Sequence, residues 1–405
     1  MSAPRTLTFF GGAATATGSM ILLEAAGARV LLDAGLFEGA VGPTEIKNRD
    51  LPLDPTRVDA VLLSQAGITS AGRTPQLVRH GFTGPIYATP ATRNLAAVTL
   101  AEAAMAFAES GDPDPLFGLA DVVRTQEQMV GQPYHRPVHL RRNLVFEFAD
   151  AGHILGSSSI ELRTGEGGSH RLLYSGSLGR PGSPILRNAE SLPGEVDTLI
   201  IGGPFAHAQH PMFTDAYARL TAVITETVAR GGQIIVPAAT LGPSHEFIRA
   251  VQKLWRRGQI PELPVWLDTP TPVCLGTIMR MHPEAIVRLE RAYRGNGGAF
   301  DNALIRLGAQ EHGRERLDAL DGPAIIVAPS EMGDTGRAAH HLARCLPDAR
   351  HTVLLLAFQE EDSVGDRLQR GETELVIGDA TVPVRAQVVS MPAFSGHADG
   401  EELRS

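Results

Sequence analysis

A buried strand that runs into a polar turn and then into a helix is the most constraining feature of this sequence. The apolar run Val58–Leu63 predicts the strand, and Thr74–His80 predicts the start of the helix. The turn between them, Ser64–Arg73, carries glycine, hydroxyl and amide residues. Loops that leave strand ends in α/β folds bring backbone donors and side chains together. We therefore expect an α/β protein with its functional site at this turn.

Short strands and a long helix are predicted around this turn. Leu7–Phe10, Ser19–Glu24 and Arg29–Asp33 are β-rich and are separated by glycine-containing turns, which predicts a β-meander. The Ala-rich stretch Leu95–Ser110 predicts a helix with Thr92 as its N-cap. The first part of the chain therefore combines a sheet with helices.

The second half alternates amphipathic helices with apolar strands. Thr198–Ile201 predicts a buried strand, and the alternation begins at Thr214. This pattern is typical of an α/β unit. The Gly-rich stretch 292–309 predicts an irregular surface loop.

Composition limits the class of protein. The 405 residues, 43% hydrophobic and 20% charged, are ordinary for a soluble protein of two or three domains, or of one large core with an insertion. The formal charge of −9 excludes a generally basic nucleic-acid-binding surface but leaves room for a local basic groove. Cys274 and Cys345 lack the spacing of a metal site and are expected to be buried thiols. No apolar run is long enough to span a bilayer, so we expect a cytoplasmic protein without membrane contact.

Five short motifs occur in a definite order along the chain. They are TGS at 17–19, LLDAGLFEG at 31–39, AGHILGS at 151–157, SGSLGR at 175–180 and FSGHAD at 394–399. Together they resemble the β-CASP branch of the metallo-β-lactamase superfamily. The resemblance implies a four-layer αββα sandwich with an inserted α/β cap domain. It also implies a core over 1–204, a cap over 205–350 and a return segment over 351–405 that is shorter than in relatives.

Active members of that family are zinc-dependent ribonucleases or related hydrolases, in which two metal ions activate water. The resemblance places the following residues at the metal-ligand positions: Gln65, Gly67, Thr69, Ser70, His153, Ser177 and His397. It also matches Asp33 to an aspartate that supports the ligands. Catalytic zinc takes three protein ligands, and a two-metal site needs a bridging carboxylate as well. We therefore expect no metal, unless His207 or Asp33 joins His153 and His397 in a rebuilt site.

Two further family motifs are altered in the cap. Gly202 stands where relatives carry an acidic residue, and Glu331 replaces a glycine that lies near the RNA phosphates in relatives. A carboxylate at that position would repel a phosphodiester by about 1 kcal/mol in wet surroundings and by more if desolvated. His340 and His341 are shared with relatives, and either helix packing or a phosphate contact would explain them.

Three functions are compatible with this pattern. The first is a catalytically degenerate β-CASP protein that acts as a scaffold or regulatory partner in RNA processing, bound to an active paralogue or to itself. The second is a metal-dependent hydrolase of the ribonuclease type, with zinc in a site rebuilt around His153 and His397. The third is a module that binds RNA in the old cleft without cutting it, against which the net charge and Glu331 weigh.

Overall fold

A mixed six-stranded sheet forms the first layer of the fold. The computed structural model describes residues 5–39, 43–183, 185–239, 242–269, 271–283, 286, 304–308 and 312–405. The predicted meander forms the antiparallel strands β1 to β3, and three parallel strands complete the sheet. In order across the sheet the strands are β1 (Thr6–Gly11), β2 (Met20–Ala25), β3 (Ala28–Leu32), β4 (Ala60–Leu62), β5 (Ile86–Ala88) and β6 (Met129–Gly131). The strand predicted at Val58–Leu63 is β4.

Helices cover one face of this sheet through a shared hydrophobic core. They are α2 (Ile68–Ala71), α3 (Thr74–Arg79), α4 (Pro90–Glu109) and α5 (Leu119–Gln128), and α1 (Pro43–Arg49) precedes them in the chain. The predicted helix over Leu95–Ser110 is α4, but it begins earlier than expected. Its N-cap is Thr89, whose Oγ1 accepts a hydrogen bond of 3.1 Å from the Thr92 N–H. The prediction of Thr92 as the N-cap was wrong. The helix can start at Pro90 because a proline is tolerated in the first turn, where its missing N–H costs nothing.

A five-stranded sheet packs against the other face of the first sheet. Its strands are β7 (Val138–Arg141), β8 (Leu144–Gly152), β9 (Ser157–Thr164), β10 (His170–Tyr174) and β11 (Thr198–Ile200), paired in the order β11-β10-β9-β8-β7. Aliphatic and aromatic side chains from both sheets form the core between them. The strand predicted over Thr198–Ile201 is present but not buried, because β11 lies at the sheet edge and the Leu199 side chain is 54% exposed.

The cap contains a six-stranded parallel sheet. Its strands are β12 (Gln233–Pro237), β13 (Val265–Leu267), β14 (Ile305–Leu307), β15 (Ala324–Ala328), β16 (Thr352–Leu355) and β19 (Gln387–Ser390), in the order β14-β13-β15-β12-β16-β19. A hairpin of β17 (Glu374–Ile377) and β18 (Ala380–Pro383) lies outside it. Strands β16 and β19 of the predicted return segment 351–405 pair in this sheet and not in either sheet of the core. The sequence could not show this, since a buried parallel strand has the same apolar pattern in either sheet.

Helices pack on both faces of the cap sheet. They are α6 (Phe213–Ala229), α7 (Pro243–Arg256), α9 (Gly313–Asp318), α10 (Gly336–Cys345) and α11 (Val364–Gln369), and α8 (Thr271–Met281) lies between β13 and β14 in the chain. Leu275, Ile278 and Met279 of α8 join the hydrophobic core of the first sheet, so α8 docks the cap onto the core.

Three remaining sequence predictions have mixed outcomes. The irregular loop predicted over 292–309 contains β14, and its residues 292–303 and 309 lie outside the described part of the chain. Cys345 is a buried free thiol, as expected, whereas the Cys274 side chain is not among those described. Within the described residues no helix is both long and apolar enough to cross a membrane.

Candidate functional site

Asp33 ties the end of β3 to the end of β4. Its carboxylate accepts hydrogen bonds from the Ser64 N–H at 2.7 Å, from the Ser64 hydroxyl at 2.8 Å and from the Tyr174 hydroxyl at 2.7 Å. The side chain is fully buried, and burial raises the pKa of Asp33 to about 6 against the opposing effect of these hydrogen bonds. Asp33 therefore holds the start of the turn in place beneath the candidate site.

The turn after β4 is closed by its own side chains. Gln65 Oε1 accepts a hydrogen bond of 2.6 Å from the Gly67 N–H, and Gln65 Nε2 donates one of 3.1 Å to Ser70 Oγ. A Cβ atom on Gly67 would lie 2.6 Å from Gln65 Oε1. The Gln65 side chain thus occupies the space that any side chain at position 67 would enter. No bond joins the Thr69 side chain to this network among the described residues.

His153 and His397 meet where the closing motif returns to the core. Their ring centroids are 4.2 Å apart with an interplanar angle of 35°. Burial lowers the pKa of His153 to about 4, and burial together with His153 and His210 holds the pKa of His397 well below its usual range. His153 takes a φ of +53°, which few non-glycine residues adopt. Both rings are therefore neutral at pH 7.

The structure brings His210, and not His207, to this pair. His210 Nε2 lies 3.0 Å from the carbonyl oxygen of His397, and its ring packs on Phe205 with centroids 4.6 Å apart. His207, the predicted candidate for a rebuilt site, is exposed on the same loop. Both residues lie on the same loop, and the fold of that loop decides which of them points inward.

Loops from three parts of the chain converge around the histidine pair. The Gly179 N–H donates to the Ala151 carbonyl at 2.7 Å, and the Arg180 N–H donates to the Gly396 carbonyl at 3.0 Å. The loop that carries Ser177 is thereby held between the segments of His153 and His397. The predicted site residues of the core thus lie at one end of the sandwich.

Gly202 is fitted closely against the same loop. Its N–H donates to Ser175 Oγ at 3.0 Å, and a Cβ atom at Gly202 would lie 2.8 Å from the Gly176 carbonyl oxygen. A side chain at position 202, acidic or otherwise, therefore needs a shift of the backbone here.

Four carboxyl groups, one from the core and three from later segments of the chain, lie close enough to interact electrostatically. Burial raises the pKa of Glu38 to about 8, with further contributions from Glu331, Asp334 and Glu360. Burial also raises the pKa of Glu331 to about 7. Glu360 Oε1 accepts a hydrogen bond of 2.8 Å from the Ala16 N–H, which links this group to the first sheet. These four residues are called the acidic cleft below.

Sequence reasoning missed most of the acidic cleft and the role of Tyr174. Of the four carboxylates only Glu331 stood out, because the others are far apart in sequence and match no motif residue that carries chemistry. Tyr174 directly precedes the SGSLGR motif, and no pattern in the sequence predicts that its hydroxyl donates a hydrogen bond to Asp33. Such contacts depend on how the two sheets and the cap pack.

Comparison with known proteins identifies the fold family. Residues 22–191 match the model of a metallo-beta-lactamase superfamily domain, 245–368 match a Beta-Casp domain, and 381–405 match a Zn-dependent metallo-hydrolase RNA specificity domain. Ribonuclease TTHA0252 from Thermus thermophilus is 30% identical over 400 residues, which cover 97% of this chain and 88% of the relative. The chain belongs to the β-CASP branch of the metallo-β-lactamase superfamily.

Other relatives of this β-CASP protein are named as transcription termination factors. Transcription termination factor FttA from Methanosarcina mazei is 26% identical and that from Thermococcus kodakarensis is 28% identical, each over 98% of this chain. The chain covers only 63% and 64% of the length of these two relatives. A crystal structure of a protein of unknown function from Enterococcus faecalis V583 has the same fold, with a TM-score of 0.51 and 13% identity over 99% of this chain and 91% of that one.

The residues at the predicted ligand positions of this β-CASP protein have the following surroundings. At the ligand positions of the turn, Gln65 and Ser70 are bonded to each other, and Gly67 has no side chain. His153 and His397 supply imidazoles, and the buried Nδ1 of His153 has no hydrogen-bond partner. Among the described residues, however, no third His, Cys, Asp or Glu lies within ligand distance of this pair. Three protein ligands are the minimum for catalytic zinc.

One group of potential ligands does occur in the cap. Asp318, His340 and His341 place one ligand atom each within 4.8 Å of the others. Arg337 donates to Asp318 at 2.9 Å and also binds the buried Asp268, to which His341 Nε2 is bonded at 2.9 Å. A guanidinium in the middle of the group repels a metal cation. The group is an ion-pair network that joins α10 to the ends of β13 and α9.

Proposed function

We propose that this chain is a catalytically degenerate β-CASP protein, a scaffold or regulatory partner in RNA processing that does not hydrolyse RNA itself. The observation that carries the proposal is the closed turn in which Gln65 bonds to Gly67 and Ser70. Side chains that would have to point at a metal ion are satisfied within the turn. Family membership supports the link to RNA processing.

The electrostatics of the cleft support the same proposal. Phosphodiester hydrolysis adds negative charge to a group that is already anionic, and metal ions or cationic side chains must stabilise it. Here the acidic cleft places Glu38, Glu331, Asp334 and Glu360 near one another on the side of the cap. A phosphate chain beside this group would further disfavour the ionised form of its buried carboxyls, so this side of the site is unsuited to an anionic substrate.

A chain without its own chemistry must act through another one. We therefore propose a protein partner, either an active β-CASP paralogue or a second copy of this chain, in the cytoplasm. Purification of the tagged chain from its native host, followed by mass spectrometry, tests this part. Co-purification with a chain that carries an intact His-x-His-x-Asp-His motif, or a dimer mass by light scattering, is the expected result. A monomer that co-purifies with no β-CASP chain contradicts it.

Zinc content and ribonuclease activity of the same sample test the catalytic part. We expect substoichiometric zinc by mass spectrometry, before and after dialysis against zinc, and no cleavage of a labelled single-stranded RNA. Ribonuclease TTHA0252 purified in parallel is the positive control for both measurements. Stoichiometric zinc, with cleavage that is lost in His153→Ala, would instead establish the hydrolase with a rebuilt site.

A further inference from the structure

The outermost strand of the first sheet, β1, has a free edge. Among the described residues no backbone hydrogen bond joins the outer side of Thr6–Phe10 to another segment, and β1 pairs only with β2. β1 is six residues long, and its sequence, TLTFFG, contains neither a charged residue nor a proline. An edge strand of this length and composition is able to pair with a further strand.

The inward face of β1 is only partly covered. Phe9 lies opposite Ile21 of β2, and Ile21 is buried in the core between the two sheets of the sandwich. Side chains directly opposite each other in an antiparallel pair lie on the same face of the sheet. Phe9 is nevertheless 44% exposed. The cause is the stagger of the two sheets: the bond between Asp33 and Tyr174 places the end of β3 at β10, so β1 extends beyond β11, the edge of the second sheet.

The other edges of the sandwich differ from β1. On the opposite side, the loop that joins β6 to β7 spans the two sheets, and the His135 N–H in it donates to the Phe148 carbonyl at 2.9 Å. β7 carries Arg141, which is paired with Asp59 at 2.5 Å. β11, on the same side as β1, is only three residues long. Short strands, charges and covering loops are the usual protection of sheet edges, and β1 has none of them among the described residues.

Charge permits a second copy of the chain at this edge. The formal charge of −9 makes two copies repel each other except where the contact surface is uncharged. Glu24, opposite Thr6 on β2, is paired with Arg29 and adds no unbalanced charge beside β1. Arg5, directly before β1, is exposed. Antiparallel pairing of β1 with its own copy places the two Arg5 side chains at opposite ends of the joined strands, about 20 Å apart.

Geometry favours the same occupant. About a two-fold axis, an antiparallel pair of β1 with its own copy satisfies the free backbone groups of both strands. It also brings the two Phe9 side chains together under the joined sheet, where each covers the exposed part of the other. A strand of another protein would fill the edge, but it would cover Phe9 only if it carried a bulky apolar residue at the matching position.

We propose that β1 is a self-association surface, through which two copies of this chain join their first sheets by antiparallel pairing of β1 with β1. The inference rests on the proposed function for the need of a partner, and it deepens that function by selecting a second copy and naming the contact. One short strand pair buries less than the roughly 1,600 Å² of a standard interface, so we expect a weak dimer with a dissociation constant of about 10⁻⁵ to 10⁻⁴ M.

Sedimentation velocity of the full chain between about 2 and about 200 μM, a range that brackets this affinity, tests the proposal. Phe9→Lys should weaken dimerisation at least about tenfold, because it places two ammonium groups side by side at the joined edge. Lysine also lowers the net negative charge, so a general repulsion between copies cannot explain the loss. Leu119→Lys on α5 is the matched control, since Leu119 is 52% exposed and lies away from β1, and it should dimerise like the unaltered chain. Thermal unfolding shows whether both variants are folded.

Hydrogen exchange of the unaltered chain locates the contact without any substitution. Peptides that contain β1 should exchange more slowly at the high concentration than at the low one, whereas peptides of β6 and β7, on the opposite side of the sandwich, should not change. A chain that stays monomeric over the whole range, or unchanged exchange in β1, overturns the inference. A dimer that persists in Phe9→Lys also overturns it, but leaves the proposed partner in place because the copies then meet elsewhere. Cleavage of RNA by the same sample would contradict the proposed function alone.

Discussion

At the scale of single residues, the side chains of the turn after β4 depend on one another for space and for hydrogen bonds. The Gln65 side chain fills the space beside Gly67. It accepts a hydrogen bond from the Gly67 N–H and donates one to the Ser70 hydroxyl oxygen. Gln65 is 4% exposed, so these polar groups have little water to replace a lost partner. A buried polar group left unpaired costs about 1–3 kcal/mol. The turn should therefore be stable without metal because Gln65 and Gly67 occur together.

A double-mutant cycle tests this coupling. Gln65→Ala should lower the free energy of unfolding by about 1–3 kcal/mol, since it unpairs the Gly67 N–H. Gly67→Ala should be costly beside Gln65, whose Oε1 it displaces, and nearly neutral in the Gln65→Ala background, which gives a coupling energy above about 0.5 kcal/mol. Urea unfolding provides the values. Thr69→Ala, in the same turn, is the control and should stay within about 0.5 kcal/mol of the unaltered chain. Additive effects of the two substitutions would refute the coupling.

At the scale of elements, the start of α4 holds the loop of His153. The Gly156 carbonyl accepts hydrogen bonds from the Thr89 hydroxyl at 2.7 Å and from the Thr92 hydroxyl at 2.8 Å. Gly156 has a φ of +85°, and a Cβ atom there would lie 2.6 Å from the Thr92 nitrogen. The second G of the AGHILGS motif is therefore required by the packing of this loop on the helix, which is a structural reason for the motif independent of metal binding.

Two threonine variants distinguish the N-cap of α4 from the hydrogen bonds that join α4 to Gly156. Thr89→Ala removes both the N-cap and one bond to Gly156, so the free energy of unfolding should fall by about 1–2 kcal/mol. Thr92→Ala removes only the other bond to Gly156, and its cost should be smaller, about 1 kcal/mol. Both follow from urea unfolding at one pH. If Thr92→Ala lowered the free energy of unfolding more than Thr89→Ala, the assignment of Thr89 as the N-cap would be wrong.

At the scale of the whole molecule, apolar side chains stabilise the association of core and cap, whereas carboxylates oppose it. Leu275, Ile278 and Met279 of α8 pack into the core under the first sheet. Glu38 of the core faces Glu331, Asp334 and Glu360 of the cap, and this raises its pKa beyond the effect of burial alone. The association of cap and core is thus stabilised by apolar contact and opposed by charge as the pH rises.

The pH dependence of stability follows from the Glu38 pKa. The ordinary pKa of 4.5 applies to the unfolded chain, and the folded value is about 8, so the folded state binds this proton more tightly. The contribution of Glu38 to the free energy of unfolding is therefore largest below pH 4.5, and this contribution is lost as the pH rises through about 8. Glu38→Gln should raise the melting temperature at pH 8 and leave it nearly unchanged at pH 5. Melting curves across this range check it, with Glu45→Gln on α1 as control. Equal melting temperatures of Glu38→Gln and the unaltered chain at pH 8 would contradict the prediction.

Local patterns in the sequence were sufficient for much of the architecture. Local patterns located β2, β3 and β4 to within a residue or two of their ends, and the ordered motifs identified the family. These features depend on neighbours along the chain or on residue identity, so a sequence reports them directly. The sequence likewise shows directly that glycine stands at position 67 and serine at position 177.

Contacts between distant segments were decided only by the tertiary structure. Strands β16 and β19 joined the cap sheet because parallel pairing depends on packing and not on local pattern. The backbone of one loop turned His210 toward His397 and left His207 exposed. The acidic cleft likewise assembles residues hundreds of positions apart. The sequence by itself thus determined the family and many of the strands and helices, and the folded chain determined which side chains meet at the candidate site, because burial and proximity arise only when the sheets and the cap pack together.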